Sequence, residues 1–311
     1  MRMKLLSIKA NNLFFFFVLI LLFTVSLSNA ANRFSVATGN WSSTATWSAT
    51  LGGASGASVP VAGDVVTIAG GFTVTLSANA ACTDVTVNAG STLNIGIRTL
   101  TATGFFINNG SVIGTSGVIA LTGNFTNSGT FTLRTGRLAV SAGTFSSTNS
   151  FIFTGAGMLV LGGNFTYSGT FTLLSAQVQF TGTANQSIQG FTTTGTVSML
   201  KTGGTATLSG NVSGAGLTMS GAGGTLNLVS GTHTFSGNWT RTNGTLNCGS
   251  SLLRIRGSIS GTAGAFTAGS GTVEYYRAGG QTAAVLTYNN LILSGSGTKT
   301  FANSPTVNGV L

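Results

Sequence analysis

Carboxylates are the first side chains to consider as catalysts, and this chain of 311 residues has only three: Asp64, Asp84 and Glu274. Hydrolysis of a glycosidic bond requires two carboxyl groups on either side of the bond. Asp64 and Asp84 are 20 residues apart, so a coil of that length would place them side by side. Alternatively, Asp64 occupies a turn after Gly63 and Asp84 a strand edge. We favour this alternative, and the sequence therefore predicts no catalytic residues.

The other groups with reactive chemistry are equally sparse. His233 is the only histidine; it lies in a Thr-His-Thr strand, and we expect it on the outer face, solvated or satisfied there. Zinc sites combine about four Cys, His or carboxylate ligands, and calcium sites need several carboxylates. The sequence therefore predicts no metal and no cofactor. It offers no supported Ser-His-Asp set or phosphate loop either.

The two cysteines, Cys82 and Cys248, are 166 residues apart. In a solenoid with coils of 20 residues and a rise of about 4.8 Å, this separation corresponds to roughly 40 Å. A disulfide requires Cα atoms within about 7 Å. We therefore expect both cysteines to be free and to serve as small core residues.

Thr-x-Thr pairs are the remaining candidates for a binding surface. Stacked on a flat parallel face, their hydroxyls could match an ice lattice or follow a glycan chain. Alternatively, threonine is frequent simply because it suits the outside of a strand. The residues assigned to a possible surface-binding array are Thr130, Thr132, Thr170, Thr172, Thr205, Thr207, Thr232 and Thr234.

The composition excludes several classes of protein. Charged residues make up 5% of the chain, where a globular domain has about 25%. The mean hydropathy of +0.42 is too high for a disordered chain, and the 47 glycines follow no collagen period. Two cysteines cannot form a disulfide scaffold, and three acids cannot form a coiled coil. What remains is Gly-, Ser-, Thr- and Asn-rich β-structure with an apolar core.

The N-terminus has the pattern of a secretory signal peptide. Three basic residues precede the apolar run Leu13 to Phe23, and Ser28-Asn29-Ala30 offers a small-x-small cleavage site before Ala31. We predict that residues 1–30 are removed and that the protein is secreted to the outer cell surface or medium, with no membrane contact afterwards. The alternative is an uncleaved anchor helix, for which the run is marginally long.

After residue 30, ten basic residues face three acids, for a net charge of +7. The tightest basic groups are pairs, Arg134/Arg137 and Arg254/Arg256. No cluster of basic residues interleaved with aromatics is present, which is the pattern expected of a nucleic-acid site. We therefore predict no nucleic-acid partner.

Internal repeats dominate the rest of the chain. Leu121 to Leu133 recurs as Leu161 to Leu173 with 11 of 13 positions identical. A second, weaker repeat, which we call the 95-residue echo, relates positions about 95 residues apart. It relates Gly163 to Gly257, Phe171 to Phe266, Val178 to Val273, Gln186 to Gln281 and Val212 to Val307. Offsets of 20 and 40 predict a structural unit of about 20 residues.

Within each unit, a Gly-Thr-apolar-x-apolar motif alternates apolar and polar residues, as strands with one buried face do. We predict an all-β parallel β-helix, or β-solenoid, with coils of about 20 residues. A β-sandwich array is the competing architecture, but its domains need about 100 residues. About 12 coils would give a length near 60 Å. The phenylalanines expected to point inward and stack are Phe125, Phe131, Phe165 and Phe171.

The two ends of the predicted solenoid differ. Residues 31–64 contain Trp41 and Trp47 and lack the repeat motif, which predicts an N-terminal cap before repeats at 65–311. The last residues, Val307 to Leu311, stop in mid-strand. This predicts that the chain is truncated there or that its open end meets another molecule, for example in end-to-end self-association.

Two segments carry a resemblance to a known family. Gly39-Asn-Trp-Ser-Ser-Thr-Ala-Thr-Trp47 followed by Gly63-Asp-Val-Val-Thr-Ile68 resembles the N-terminal segment of large secreted repeat proteins of the Bacteroidetes, and more weakly G8-type modules. Val273-Glu-Tyr-Tyr276 and Leu286 to Phe301 resemble their recurring β-helix unit. The resemblance implies an exported, surface-displayed or adhesin-like protein.

Together these features favour a secreted, non-enzymatic structural or adhesin-like solenoid. Its expected partner is a cell-surface or extracellular glycan bound to a face rich in Thr, Ser and Asn. The alternatives are a polysaccharide-active β-helix enzyme and an ice-binding threonine array.

Overall fold

The computed structural model describes residues 30–311, so the predicted signal peptide at 1–30 lies, apart from Ala30, outside the described residues. Residues 31–311 fold as one unit. It is a parallel β-solenoid of about 12 turns, which confirms the predicted fold class. Its strands are numbered β1 to β40 in chain order, and in most coils the chain visits three walls in turn.

Wall 1 is a continuous sheet of 13 strands. Its strands are β1 (Asn32–Ser35), β3 (Trp47–Ser48), β4 (Val65–Ile68), β7 (Asp84–Val87), β10 (Phe106–Asn108), β13 (Phe125–Asn127), β16 (Phe145–Ser147), β19 (Phe165–Tyr167), β22 (Gln186–Ile188), β25 (Thr205–Leu208), β28 (Thr225–Asn227), β31 (Thr245–Asn247) and β34 (Ala265–Thr267).

Wall 2 consists of two sheets, because β20 and β23 of consecutive coils do not pair. The first sheet contains β2 (Gly39–Asn40), β5 (Thr73–Thr75), β8 (Thr92–Gly96), β11 (Ser111–Gly114), β14 (Thr130–Leu133), β17 (Ser150–Phe153) and β20 (Phe171–Thr172). The second contains β23 (Phe191–Thr192), β26 (Val212–Gly214), β29 (Thr232–Phe235), β32 (Leu252–Ile255), β35 (Thr272–Tyr275) and β38 (Asn290–Leu293).

Wall 3 is a sheet of ten strands. They are β6 (Ala80–Cys82), β9 (Thr99–Ala102), β12 (Val118–Leu121), β15 (Arg137–Val140), β18 (Met158–Leu161), β21 (Gln177–Phe180), β24 (Val197–Met199), β27 (Leu217–Met219), β30 (Trp239–Arg241) and β33 (Ile259–Ser260). Two short pairs complete the strands, β36 (Gln281–Thr282) with β39 (Lys299–Thr300) and β37 (Thr287–Tyr288) with β40 (Thr306–Val307). Between β2 and β3 lies a 3-10 helix, Thr44–Thr46.

Stacked phenylalanines fill the centre, as the alternating pattern predicts. In wall 1, Phe106, Phe125, Phe145 and Phe165 are successive register partners, and ring centroids of neighbours lie 5.0–5.7 Å apart. In wall 2, Phe131, Phe151 and Phe171 stack at 4.8 and 5.2 Å. The two columns meet edge to face, with Phe125 and Phe131 5.2 Å apart. Such aromatic pairs add about 0.5–1.5 kcal/mol each to the stabilisation from burial.

Glycines form the corner between walls 3 and 1, where the backbone of one coil rests on the next. Gly104, Gly123, Gly143 and Gly163 are stacked there, and a Cβ on any of the last three would collide with the carbonyl oxygen of the glycine one coil earlier. No residue other than glycine permits this approach. Many of the glycines are therefore spacing elements of the coil rather than flexible linkers.

Residues 31–64 begin the solenoid differently from the later coils. β1 pairs in parallel with β4, while β3 runs antiparallel to β1 and occupies the outermost position of wall 1. Trp41 and Trp47 are buried with their ring centroids 5.2 Å apart, and Trp47 Nε1 donates to the carbonyl of Trp41 at 2.7 Å. The antiparallel strand is thus the edge strand of wall 1, and the tryptophan pair belongs to the hydrophobic core.

The 95-residue echo does not return to the same wall. Phe171 in wall 2 corresponds to Phe266 in wall 1, and Val178 in wall 3 corresponds to Val273 in wall 2. The offset therefore spans four full coils and two further walls. Similar sequences can occupy different walls because each wall presents the same environment, apolar inside and polar outside.

We predict that Phe151→Ala lowers the free energy of unfolding by about 3–5 kcal/mol, because the substitution leaves a cavity between Phe131 and Phe171. Denaturant unfolding followed by circular dichroism measures this change. Ser150→Ala is the matched control one residue away on the outer face, with an expected change within about 0.5 kcal/mol. Equal effects of the two substitutions would contradict the inward placement of Phe151.

Candidate functional site

Two of the three carboxylates accept hydrogen bonds from the backbone of the solenoid. Asp64 is buried, and its carboxylate accepts hydrogen bonds from the amides of Ala31 and Val61, each at 3.1 Å, with Arg33 Nε 3.7 Å away. Asp84 opens β7, and its Oδ1 accepts from the amide of Phe105 at 2.8 Å. The two residues lie in adjacent coils, as their spacing predicts, but each carboxylate caps a turn.

Glu274 lies nine coils further along, at the strand rise of about 4.8 Å roughly 43 Å from Asp84. It accepts hydrogen bonds from Arg254 Nε at 2.5 Å and from Ser294 Oγ at 2.6 Å. Partial burial on its own would raise its pKa, but the hydrogen bonds and the charge of Arg254 hold the pKa of Glu274 below its ordinary value. A carboxylate kept ionised and engaged in this way is suited to cross-linking neighbouring strands.

His233 lies inside the solenoid, so the expected outward position is wrong. It is fully buried between Thr232 and Thr234, which alternation turns outward. Its Nδ1 accepts from the amide of Val212 at 3.2 Å, and its Nε2 lies 3.1 Å from the carbonyl of Leu228. Desolvation lowers the pKa of His233, although the hydrogen bonds with backbone carbonyls act in the opposite direction. The imidazole therefore serves as a neutral core residue.

The two cysteines are free and buried, as predicted. Burial raises the pKa of Cys82 to about 12, with further contributions from Asp84 and Asp64. Burial also raises the pKa of Cys248. Because the thiolate is the nucleophilic form, neither thiol has the properties of a catalytic group.

Lys201 is a buried cation that sequence reasoning did not single out. Its Nζ donates to the carbonyls of Thr181 and Ala184 at 3.1 and 2.7 Å and to Gln186 Oε1 at 3.2 Å, and desolvation lowers its pKa. Two of these acceptors lie in the turn between β21 and β22, and Gln186 begins β22. Lys201 therefore ties this turn to the following coil.

The eight threonines of the possible array do not share one surface. Thr130, Thr132 and Thr172 lie in the first sheet of wall 2, with Thr170 just before β20. Thr205 and Thr207 lie in wall 1, whereas Thr232 and Thr234 lie in the second sheet of wall 2 beside the Arg254–Glu274 pair. The array therefore divides into separate groups.

The structure does contain a continuous column of hydroxyls, with a different set of residues. On the outer face of the first sheet of wall 2, successive register partners carry a hydroxyl in every coil across its five longer strands, because each position is a threonine or a serine. Thr170 continues the column, since its carbonyl accepts from the amide of Phe151. The column consists of Thr73, Thr92, Ser111, Thr130, Ser150 and Thr170. A search for Thr-x-Thr pairs misses it because serines and single threonines complete it.

A shallow groove of about 330 Å³ follows this column at the corner between walls 1 and 2. All ten residues lining it are Gly, Ser, Thr or Asn, and they include Thr92, Ser111 and Thr130. The second column of the same wall, Thr75, Asn94, Ile113, Thr132, Ile152 and Thr172, mixes polar and apolar side chains. Together, the two columns and the groove form an uncharged surface, which we call the hydroxyl face.

Comparisons with family models, with curated proteins and with solved structures found no match to this chain. Within residues 30–311, no helix is long and apolar enough to cross a bilayer. The same range contains no group of three or more His, Cys, Asp or Glu side chains able to hold a metal ion.

His233 predicts a specific dependence of stability on pH. Because its pKa is lower in the folded state, the unfolded chain takes up a proton more readily below the ordinary pKa near 6.5. The free energy of unfolding should therefore decrease as the pH falls from 7.5 to 5.5, with a slope of at most about 1.4 kcal/mol per pH unit. Urea titrations across this range measure the slope.

The assignment is direct because His233 is the only histidine and histidine is the side chain whose ordinary pKa lies within this pH range. His233→Gln should remove most of the slope even if it lowers stability at every pH. A slope that persists unchanged in this variant would contradict the buried, neutral imidazole.

Proposed function

We propose that this chain is a secreted, surface-displayed structural protein of adhesin type that binds a neutral polysaccharide through its hydroxyl face. The observation that carries this proposal is the unbroken column of Ser and Thr hydroxyls along the uncharged groove of wall 2. The column repeats at the strand spacing of about 4.8 Å, which presents a linear ligand with the same donors and acceptors in every coil.

The energetics suit an extended ligand better than a small one. One hydrogen bond between neutral groups contributes only about 0.5–1.5 kcal/mol, so a single coil binds weakly. Six successive coils multiply this contribution along a ligand that lies parallel to the solenoid axis. Because the groove carries no charged side chain, binding should depend little on salt.

A non-enzymatic role is part of the same proposal. Asp64 and Asp84 are hydrogen-bonded to backbone amides, and Glu274 is paired with Arg254 about nine coils away. The hydroxyl face contains none of the three carboxylates. Glycoside hydrolysis needs two carboxyl groups on either side of the ligand, and the hydroxyl face provides neither.

Export is supported by the pattern of residues 1–30. We predict that a chain produced from Met1 onward in a Gram-negative host is recovered outside the cytoplasm with Ala31 as its first residue. Cell fractionation and N-terminal mass spectrometry measure both properties, and a chain starting at Ala31 with a new initiator methionine is the control. Recovery of the full-length chain in the cytoplasm, uncleaved, would contradict the export assignment.

Glycan binding is tested by co-sedimentation with insoluble cellulose, curdlan and chitin. We predict binding to at least one of them that persists in 1 M NaCl. The triple variant Thr92→Val, Ser111→Ala, Thr130→Val should weaken that binding at least tenfold, about 1.4 kcal/mol. The matched control, Thr205→Val with Thr225→Val and Thr245→Val, removes a threonine column from wall 1 and should leave binding unchanged.

Two outcomes contradict the glycan proposal: no binding to any of the three polysaccharides, or equal binding by the two triple variants. Thermal hysteresis measured on the same samples tests the ice-binding alternative. That alternative is favoured by the regular hydroxyl column and opposed by Asn94, Ile113 and Ile152 in the column beside it.

A further inference from the structure

One interior difference between the two copies of the 95-residue echo lies around Ser147 and Tyr167. In the first copy, Ser147 is followed one coil later by its register partner Tyr167. Tyr167 fills the space between coils, because its Oη donates to the carbonyl of Gly190 at 2.7 Å and its amide donates to Gln189 Oε1 at 2.9 Å. In the first copy, the small side chain of Ser147 and the large ring of Tyr167 one coil later thus fill the space between these coils.

In the second copy the large side chain comes first and the small ones follow one coil later. Arg241 stands at the position of Ser147, and Gly261 and Thr262 stand where the first copy has Tyr167. Ala284, in turn, stands at the position of Gln189. With no aromatic ring above the arginine, a cavity of about 280 Å³ remains between β33 and β36. A single water occupies roughly 30 Å³ in the liquid, so this space is large enough for an organic molecule.

The cavity has one cation and otherwise neutral walls. Arg241 lies on the inner side of β30, is only 6% exposed and lies with its guanidinium carbon 5.4 Å from the centre of the Trp239 ring. Its one hydrogen bond to the described residues is from Nη2 to the carbonyl of Gly264 at 2.7 Å. The other lining side chains are apolar or carry a hydroxyl: Ile259, Ala283, Ala284, Val285, Ala302, Thr262 and Thr282.

Arg241 has no carboxylate partner among the described residues. Glu274 is engaged by Arg254, and Asp64 lies near Arg33 at the other end of the solenoid. A guanidinium always carries its charge, and burying a charge without a counter-ion is costly. Desolvation lowers the pKa of Arg241, and only the neighbouring Tyr275 and Tyr288 act against that change.

One wall of the cavity is held rigidly. The amide of Ala284 donates to Tyr275 Oη at 3.1 Å, Tyr275 and Tyr288 share a hydrogen bond of 3.0 Å, and Tyr288 Oη donates to the carbonyl of Ala284 at 2.5 Å. This closed ring of hydrogen bonds fixes Ala284 opposite the arginine. A cavity with fixed walls loses little entropy when a ligand enters.

We propose that this cavity, the Arg241 pocket, binds a small organic monocarboxylate. The guanidinium presents donors suited to the two oxygens of a carboxylate, the methyl-lined wall accommodates an apolar body, and the two threonines offer hydrogen bonds at its edge. A phosphate dianion fits less well, because Arg241 is the only cation in the lining. The carboxylate could belong to a free short-chain acid or to a sugar acid.

The test is an NMR titration of the folded chain with sodium butyrate, with sodium D-glucuronate and with butyramide, the neutral analogue of butyrate. We expect saturable shifts of the Arg241 Nε–H and the Ala284 amide with at least one carboxylate, and at least tenfold weaker binding of butyramide. Which carboxylate binds better distinguishes a free acid from a sugar acid. Because these probes do not involve the hydroxyl face, the result is independent of polysaccharide binding.

Two variants and a control complete the test. Arg241→Gln removes the cation, and Thr262→Tyr supplies the ring that the first copy has; each should abolish the shift of the Ala284 amide. Arg254→Gln removes a more exposed arginine and should leave binding unchanged. Thr262→Tyr keeps Arg241 in place, so the test survives if Arg241→Gln fails to fold.

The proposal is overturned if neither carboxylate gives a saturable shift at about 100 mM, where a site with a Kd of 1 mM would be filled. It is equally overturned if butyramide binds as well as butyrate, or if binding survives in Thr262→Tyr and in a folded Arg241→Gln.

Discussion

The stacking of each residue on the one about 20 places further along the chain is the constraint on which the whole structure depends. At a rise of about 4.8 Å per coil, a side chain touches its equivalents directly above and below. Inward positions must therefore tolerate a column of similar groups, which phenylalanine satisfies by ring stacking. Corner positions must let backbone rest on backbone, which glycine alone permits. Outer positions stack into columns too, and the hydroxyl column is one of them.

This constraint explains why the architecture could be predicted from the sequence. Repeats of 20 and 40 residues, alternation within each unit and the scarcity of charge all follow from the stacking of coils, and the columns of Phe125 and Phe131 lie inside as expected. The 95-residue echo was also visible in the sequence, but the walls that it relates were not. Only the three walls show that it advances by two walls beyond four coils, so that Phe171 and Phe266 lie in different sheets.

The interior polar groups were the part that sequence reasoning could not place. His233 follows the alternation set by Thr232 and Thr234 and therefore points inward, although its polarity suggested the outer face. Lys201 and Arg241 are buried, and backbone carbonyls, which any sequence would supply, accept most of their hydrogen bonds. Lys201 also donates to the side chain of Gln186. The hydroxyl column was only partly visible, because Ser111 and Ser150 complete it without matching the Thr-x-Thr pattern.

A straight hydroxyl column is the central claim, and distances between spin labels measure it most directly. Labels on cysteines introduced at Thr73 and at Thr130, Ser150 or Thr170, in a background with both native cysteines replaced, span three, four and five coils. Pulsed electron paramagnetic resonance should give backbone separations of about 14, 19 and 24 Å, increasing in equal steps of about 4.8 Å. Distances that do not increase from one pair to the next would contradict the solenoid and the face built on it.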